Sequence, residues 1–157
     1  MKKYFLKLYQ YNAWANNKVL KCLQSQNITD EKILSLFGHV MVAQLTWLSR
    51  IEATANPGLK LWGDWNMGQL QSMSDEGSAK WLSYIERTES FDRILVYKNF
   101  QNLPYESNVE TIMIHTVNHA SYHRAQIALL LRQKGFEPVN TDFITYDRVL
   151  LGQLKDE

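Results

Sequence analysis

Histidine is the residue type with the most chemistry in this chain, and three of its four copies, His115, His119 and His123, recur at every fourth position. On an α-helix, residues four apart lie nearly above one another, so the three rings would form a shallow spiral along one face. Two neutral imidazoles on consecutive turns can share one metal ion. His-x3-His alone is a weak signal, as readily found on an exposed helix as in a metal site. Its surroundings strengthen it: Ile112, Met113, Ile114, Val117, Ala120, Ile127 and the run from Ala128 to Leu131 make the segment apolar nearly all round. That is the pattern of a largely buried helix. A buried imidazole without a partner costs about 1–3 kcal/mol, and one cation can serve several. Periodicity does not say which two of the three would bind it, because the apolar arc is too broad.

The element carrying them is predicted to run from Ser107 to Gly135. Ser107 as N-cap and Glu110 three residues on form a capping box, and Gly135 with Pro138 beyond it is a stop. Three further helices must position this one. Residues 3–25 show apolar and aromatic residues by threes and fours. A second helix is capped by Thr29 or Asp30 and runs to about Ala55, before Pro57-Gly58. It holds the fourth histidine, His39, which its helical phase leaves as a boundary or exposed residue. Residues 56–73 are rich in glycine, with one proline and Trp62 and Trp65, and read as a loop with the tryptophans on the bundle surface or in an interface. A third helix is expected from about Ser74 to Thr88, with Ala79, Leu82 and Ile85 as its apolar seam. The β-branched run Ile94–Tyr97 suggests a short hairpin before the long helix, and a short terminal helix is expected from Tyr146.

Composition narrows the function classes. A chain of 157 residues, 45% apolar, is expected to be one domain over 1–157 with a real core. The formal charge of +1 offers no field for nucleic acid or an anionic membrane. No signal peptide or membrane-length apolar run occurs, and the single Cys22 cannot form an internal disulfide, so a reducing cytoplasm is the expected setting. The fold class is all-α, a four-helix bundle with one longer crossover. A di-iron carboxylate site needs Glu-x-x-His pairs, and there are none; His-Glu-x-x-His, Cys-x-x-Cys, the P-loop and Gly-x-Gly-x-x-Gly are missing too.

Several local stretches together resemble one family. Tyr11-Asn12-Ala13-Trp14-Ala15-Asn16, Leu36-Phe37-Gly38-His39-Val40 with Ala43, Gln44 and Trp47, and His115 through Gln126 with its His123-Arg124-Ala125-Gln126 end are the matching segments. With Arg132 to Gly135, Pro138, Asp142 and Tyr146, the likeness to the DinB/YfiT-like metal-binding four-helix bundles runs nearly end to end. Ala125 stands where that family usually has glycine. The resemblance implies a three-histidine site made by His39, His119 and His123, with His115 as a supporting or core residue. Three imidazoles leave at least one coordination position open. The implied cofactor is a divalent metal ion, zinc or nickel. The implied function is metal-dependent hydrolysis or S-transfer from a low-molecular-weight thiol to a small-molecule substrate. The alternative is a non-catalytic, stress-related metal-binding interaction protein. Tyr122 and Gln126 share the His119 side of the helix and are expected either to line the pocket or to hydrogen-bond in the core. Arg124 is expected in a structural ion pair, and Asp142 is a candidate imidazole orienter or base as well as a simple turn residue. A homodimer is the expected assembly.

Overall fold

The computed structural model describes residues 1–54, 58, 60–99 and 101–156. It contains α1 (Lys2–Ser25), α2 (Glu31–Glu52), α3 (Met67–Arg87), β1 (Ile94–Lys98), β2 (Pro104–Asn108), α4 (Val109–Gln133) and α5 (Phe143–Leu150). The four long helices form an all-α bundle: α1 packs against α3 and α4, and α2 against the same two. The strands pair antiparallel, from Ile94 opposite Asn108 to Lys98 opposite Pro104, as a hairpin that feeds α4. Among the described residues, no helix is long and apolar enough to cross a membrane.

Local chemistry sets the helix ends. Asp30 caps α2 by accepting from the Ile33 amide. Helix α4 ends in a Schellman turn, with Gly135 at φ 81, its amide on Arg132 O and the Phe136 amide on Leu131 O. Two starts differ from the sequence reading. Ser107 is a residue of β2, so no Ser107–Glu110 box forms; Asn108 caps α4 instead, accepting from the Glu110 amide. Helix α3 begins seven residues before Ser74, because Asn66 and Gln69 make a reciprocal capping box within the glycine-rich stretch. Its buried face is Leu70, Met73, Gly77, Trp81, Tyr84 and Ile85, leaving Ala79 exposed. Helix α2 stops at Glu52, where Ala53 takes a left-handed conformation (φ 53). Ala55 to Pro57 and Leu59 lie outside the described residues.

The core has two apolar halves. One gathers Leu20, Leu23, Phe37, Leu70 and Ile127, and the other Phe5, Tyr9, Leu48, Trp81 and Met113. Each such side chain, fully buried, contributes about 1.5–3 kcal/mol. Between them lies a polar layer. Arg124, 2% exposed, donates to Asn12 Oδ1 and Asn16 Oδ1 at 2.8 Å each, to Ser121 Oγ at 2.8 Å and to Tyr11 Oη at 3.2 Å. Asn12 in turn donates to Gln44 Oε1 at 2.9 Å. The expected ion pair of Arg124 is therefore replaced by neutral acceptors, and the three from α1 join α4 to that helix. This layer ties Tyr11, Asn12 and Asn16 to an arginine that lies more than a hundred residues away.

Candidate metal centre

The long apolar face of α4 brings His119 and His123 one turn apart into the bundle, and α2 delivers His39 opposite them. His39 is 6% exposed and His123 8%, so His39 is a buried residue rather than the boundary residue its helical phase suggested. Its Nε2 lies 3.1 Å from His119 Nε2, which lies 3.2 Å from His123 Nε2. The three ligand-type nitrogens all fall within 4.8 Å of one another. Tetrahedral zinc with bonds of about 2.0–2.1 Å spaces its nitrogens by roughly 3.3 Å, close to the two shorter separations.

Hydrogen bonds on the far side of the rings decide which nitrogens face the centre. His39 Nδ1 is 3.1 Å from the Leu61 carbonyl, and His123 Nδ1 is 2.7 Å from Gln126 Oε1. An oxygen of either kind only accepts, so both Nδ1 atoms carry the proton and both Nε2 atoms present lone pairs. His119 Nε2 can direct one N–H at one of these neighbours, and the lone pair of the other is then left without a donor. A divalent cation at the centre satisfies all three at once, so the donor set fits a metal ion.

The electrostatics favour the neutral form that a ligand needs. Burial, with His123, His39 and His115 close by, pulls His119 down to about 4. Burial also lowers His39, against the opposing Leu61 hydrogen bond, and burial lowers His115.

A sequence profile described as the DinB family matches residues 1–150. The chain belongs to the DinB family. A similar protein is Protein DinB of Bacillus subtilis (strain 168), 26% identical over 163 residues that span 93% of this chain and 95% of the relative.

Around the histidine trio, the other sequence candidates fall into distinct places. His115 is exposed rather than part of the core, with its ring 5.6 Å from His119 and 5.9 Å from Trp47. It shares with His39, His119, Thr46 and Arg50 a cavity of about 210 Å3. On the other side, His123, Gln126, Tyr122 and Trp62 line a wider, mainly apolar groove of about 690 Å3 with Lys32 and Leu129. Tyr122 is 63% exposed, its ring 5.2 Å from His123. Asp142 lies in neither lining; it stands as the exposed residue before α5, next to Thr141, whose carbonyl accepts from Tyr11 Oη. Sequence reasoning missed the contribution of the 60s loop. Besides the Leu61 carbonyl, Trp62 stacks flat on His39, with centroids 3.8 Å apart and planes at 4°. Two tryptophans within four residues of a connector were the available signal, since neither is needed to make a turn.

Proposed function

We propose that this chain is a divalent-metal enzyme that holds zinc or nickel through His39, His119 and His123. Its reaction is hydrolysis of a small molecule or S-transfer from a low-molecular-weight thiol to one. The observation that carries this reading is the placement of the cluster between two openings, the 210 Å3 cavity and the 690 Å3 groove. A purely structural ion wants four protein ligands and no access, whereas three imidazoles with open space beside them match a reactive centre. A bound ion supplies Lewis acidity, which lowers the pKa of a water or thiol that reaches it to the neutral range.

The chain's own residues supply the rest. Both linings lack carboxylates among the described residues, so the proton acceptor has to come from elsewhere. His115 fits: it lines the cavity beside His119, lies outside the trio, and is held below its usual pKa, so it is neutral at pH 7 and can accept a proton. Arg50, lying over the Trp47 ring at 4.8 Å, faces the same cavity and favours an anionic group on the substrate. Trp62 and Tyr122 give the groove aromatic walls for the substrate's apolar part. The buried Cys22, held in no disulfide, suits a reducing compartment such as the cytoplasm.

The test is metal analysis of protein purified without a polyhistidine tag, followed by a panel of ester, amide and thiol-plus-electrophile substrates with and without chelator. Turnover that stops on chelation while the melting temperature barely moves supports the proposal. A bundle that melts on chelation and turns over none of the panel points to a structural ion instead.

A further inference from the structure

We infer that the 61–65 loop is a clamp that positions His39: Trp65, seated in a notch left by Gly38, holds the Leu61 carbonyl and the Trp62 ring against the imidazole. The inference rests on the reading of His39 as a metal ligand, and adds Gly38 and Trp65 as positioning residues.

Gly38 stands in the interior of α2, where glycine is the poorest helix former after proline. Its place there has a steric reason. A Cβ built on Gly38 would lie 2.0 Å from Trp65 Cδ1 and 2.4 Å from Trp65 Nε1, so the indole edge rests directly on the helix backbone. Among the described residues the buried Trp65 indole N–H has no hydrogen-bond partner, and apolar packing seats the ring. Gly63 closes over the other part of the same indole, where an added Cβ would stand 3.1 Å from Trp65 Cζ2. The next residue back, Trp62, lies flat on His39, and Leu61 accepts from His39 Nδ1 at 3.1 Å. Thus contacts from Leu61, Trp62 and Trp65 all land on two consecutive residues of α2, Gly38 and His39.

The consequence is chemical. The Leu61 hydrogen bond holds the proton on Nδ1 and leaves Nε2 bare toward His119, and the stacked indole sets the plane of the ring. Both depend on where the loop sits, and the loop is pinned by Trp65 in its notch. Partners of this kind, beyond the ligands themselves, change metal affinity by about 10–100-fold when removed.

Zinc affinity, measured by competition with a chromophoric chelator, is compared for the full chain, Gly38→Ala, Trp65→Ala and the double variant. Each single variant should lose about 10–100-fold in affinity. The double variant should bind no more weakly than Trp65→Ala, since the added methyl then meets no ring. A structural role alone would not move the second readout, the His39 tautomer in metal-free protein by 1H–15N NMR. The wild type should show the Nδ1–H form, and Trp65→Ala should show a mixture. Wild-type zinc affinity in Trp65→Ala, additive losses in the double variant, or an unchanged tautomer would each overturn the clamp. If Gly38→Ala does not fold, Trp65→Ala alone decides. His39→Ala separates the two ideas: full zinc retention there removes His39 from the ligand set, while the tautomer shift still reports on the clamp.

Discussion

Gln126 offers the sharpest test of the metal centre, because two substitutions at one position are expected to act in opposite directions. Its Oε1 accepts from His123 Nδ1 at 2.7 Å, and His123 itself is 8% exposed. Gln126→Leu removes an acceptor whose net contribution is about 0.5–1.5 kcal/mol. It also frees the ring to carry its proton on Nε2, the nitrogen that faces the cluster, and to rotate away from it. Together these should weaken zinc binding by about 10–100-fold, or roughly 1.4–2.7 kcal/mol. Gln126→Glu puts a carboxylate behind the imidazole, a bond roughly twice as strong, which makes Nε2 a better donor. Zinc binding should then tighten several-fold. Chelator competition near neutral pH reads both, with circular dichroism to show that the helices persist. Leucine within about two-fold of the wild type would refute the argument that this hydrogen bond selects the ligating nitrogen, and so would glutamate binding more weakly than glutamine.

Three further outcomes follow from the same geometry. His39→Ala, His119→Ala and His123→Ala should each lose bound metal in elemental analysis, whereas His115→Ala should keep a full equivalent and lose turnover; full metal in any of the first three removes that residue from the site. For metal-free protein, the His119 pKa of about 4 lies below the usual value of about 6.5 for an unfolded chain, so the unfolded state binds more protons between those limits. His39 and His115 shift the same way. The stability that keeps these rings neutral is therefore complete above about pH 6.5 and lost as pH falls toward 4, and a melting temperature that rises on acidification through this window would contradict it. Arg124→Ala leaves two buried carboxamide oxygens, those of Asn12 and Asn16, without donors and should cost about 3–5 kcal/mol, lowering Tm by roughly 10 °C with zinc stoichiometry unchanged. A fall of under about 3 °C would mean that the layer between the two core halves holds little.

How much of this was legible beforehand depends on the range of the forces involved. The helices were readable because their signals are local: Asp30 caps α2, Gly135 ends α4, and apolar residues repeat by threes and fours. The start of α3 was not, because Asn66 and Gln69 satisfy each other inside a stretch whose glycines argue for a loop. Ser107 looked like a cap, yet pairing with Leu95 draws it into β2 and hands the role to Asn108. Arg124 suggested an acidic partner, yet among the described residues its acceptors are neutral side chains, most of them from the far end of the chain. His39 was ambiguous for a related reason. Helix α2 is buried over most of its circumference, so helical phase carries almost no information about which neighbour a given side chain meets.

The sequence by itself determined that a long, mostly apolar helix would carry histidines at one-turn spacing, because helix geometry follows from the backbone and needs no partner. It also determined that this helix would be covered by others, since so wide an apolar surface has to leave water. Only the tertiary structure decided that a ring from α2 meets two of those histidines, and that Leu61 and Gln126 turn the bare Nε2 atoms of His39 and His123 toward His119. Those decisions depend on angstrom-scale approach between segments distant in the chain, set by how side chains interlock: an indole fits where Gly38 lacks a methyl, and the loop that carries it arrives at His39.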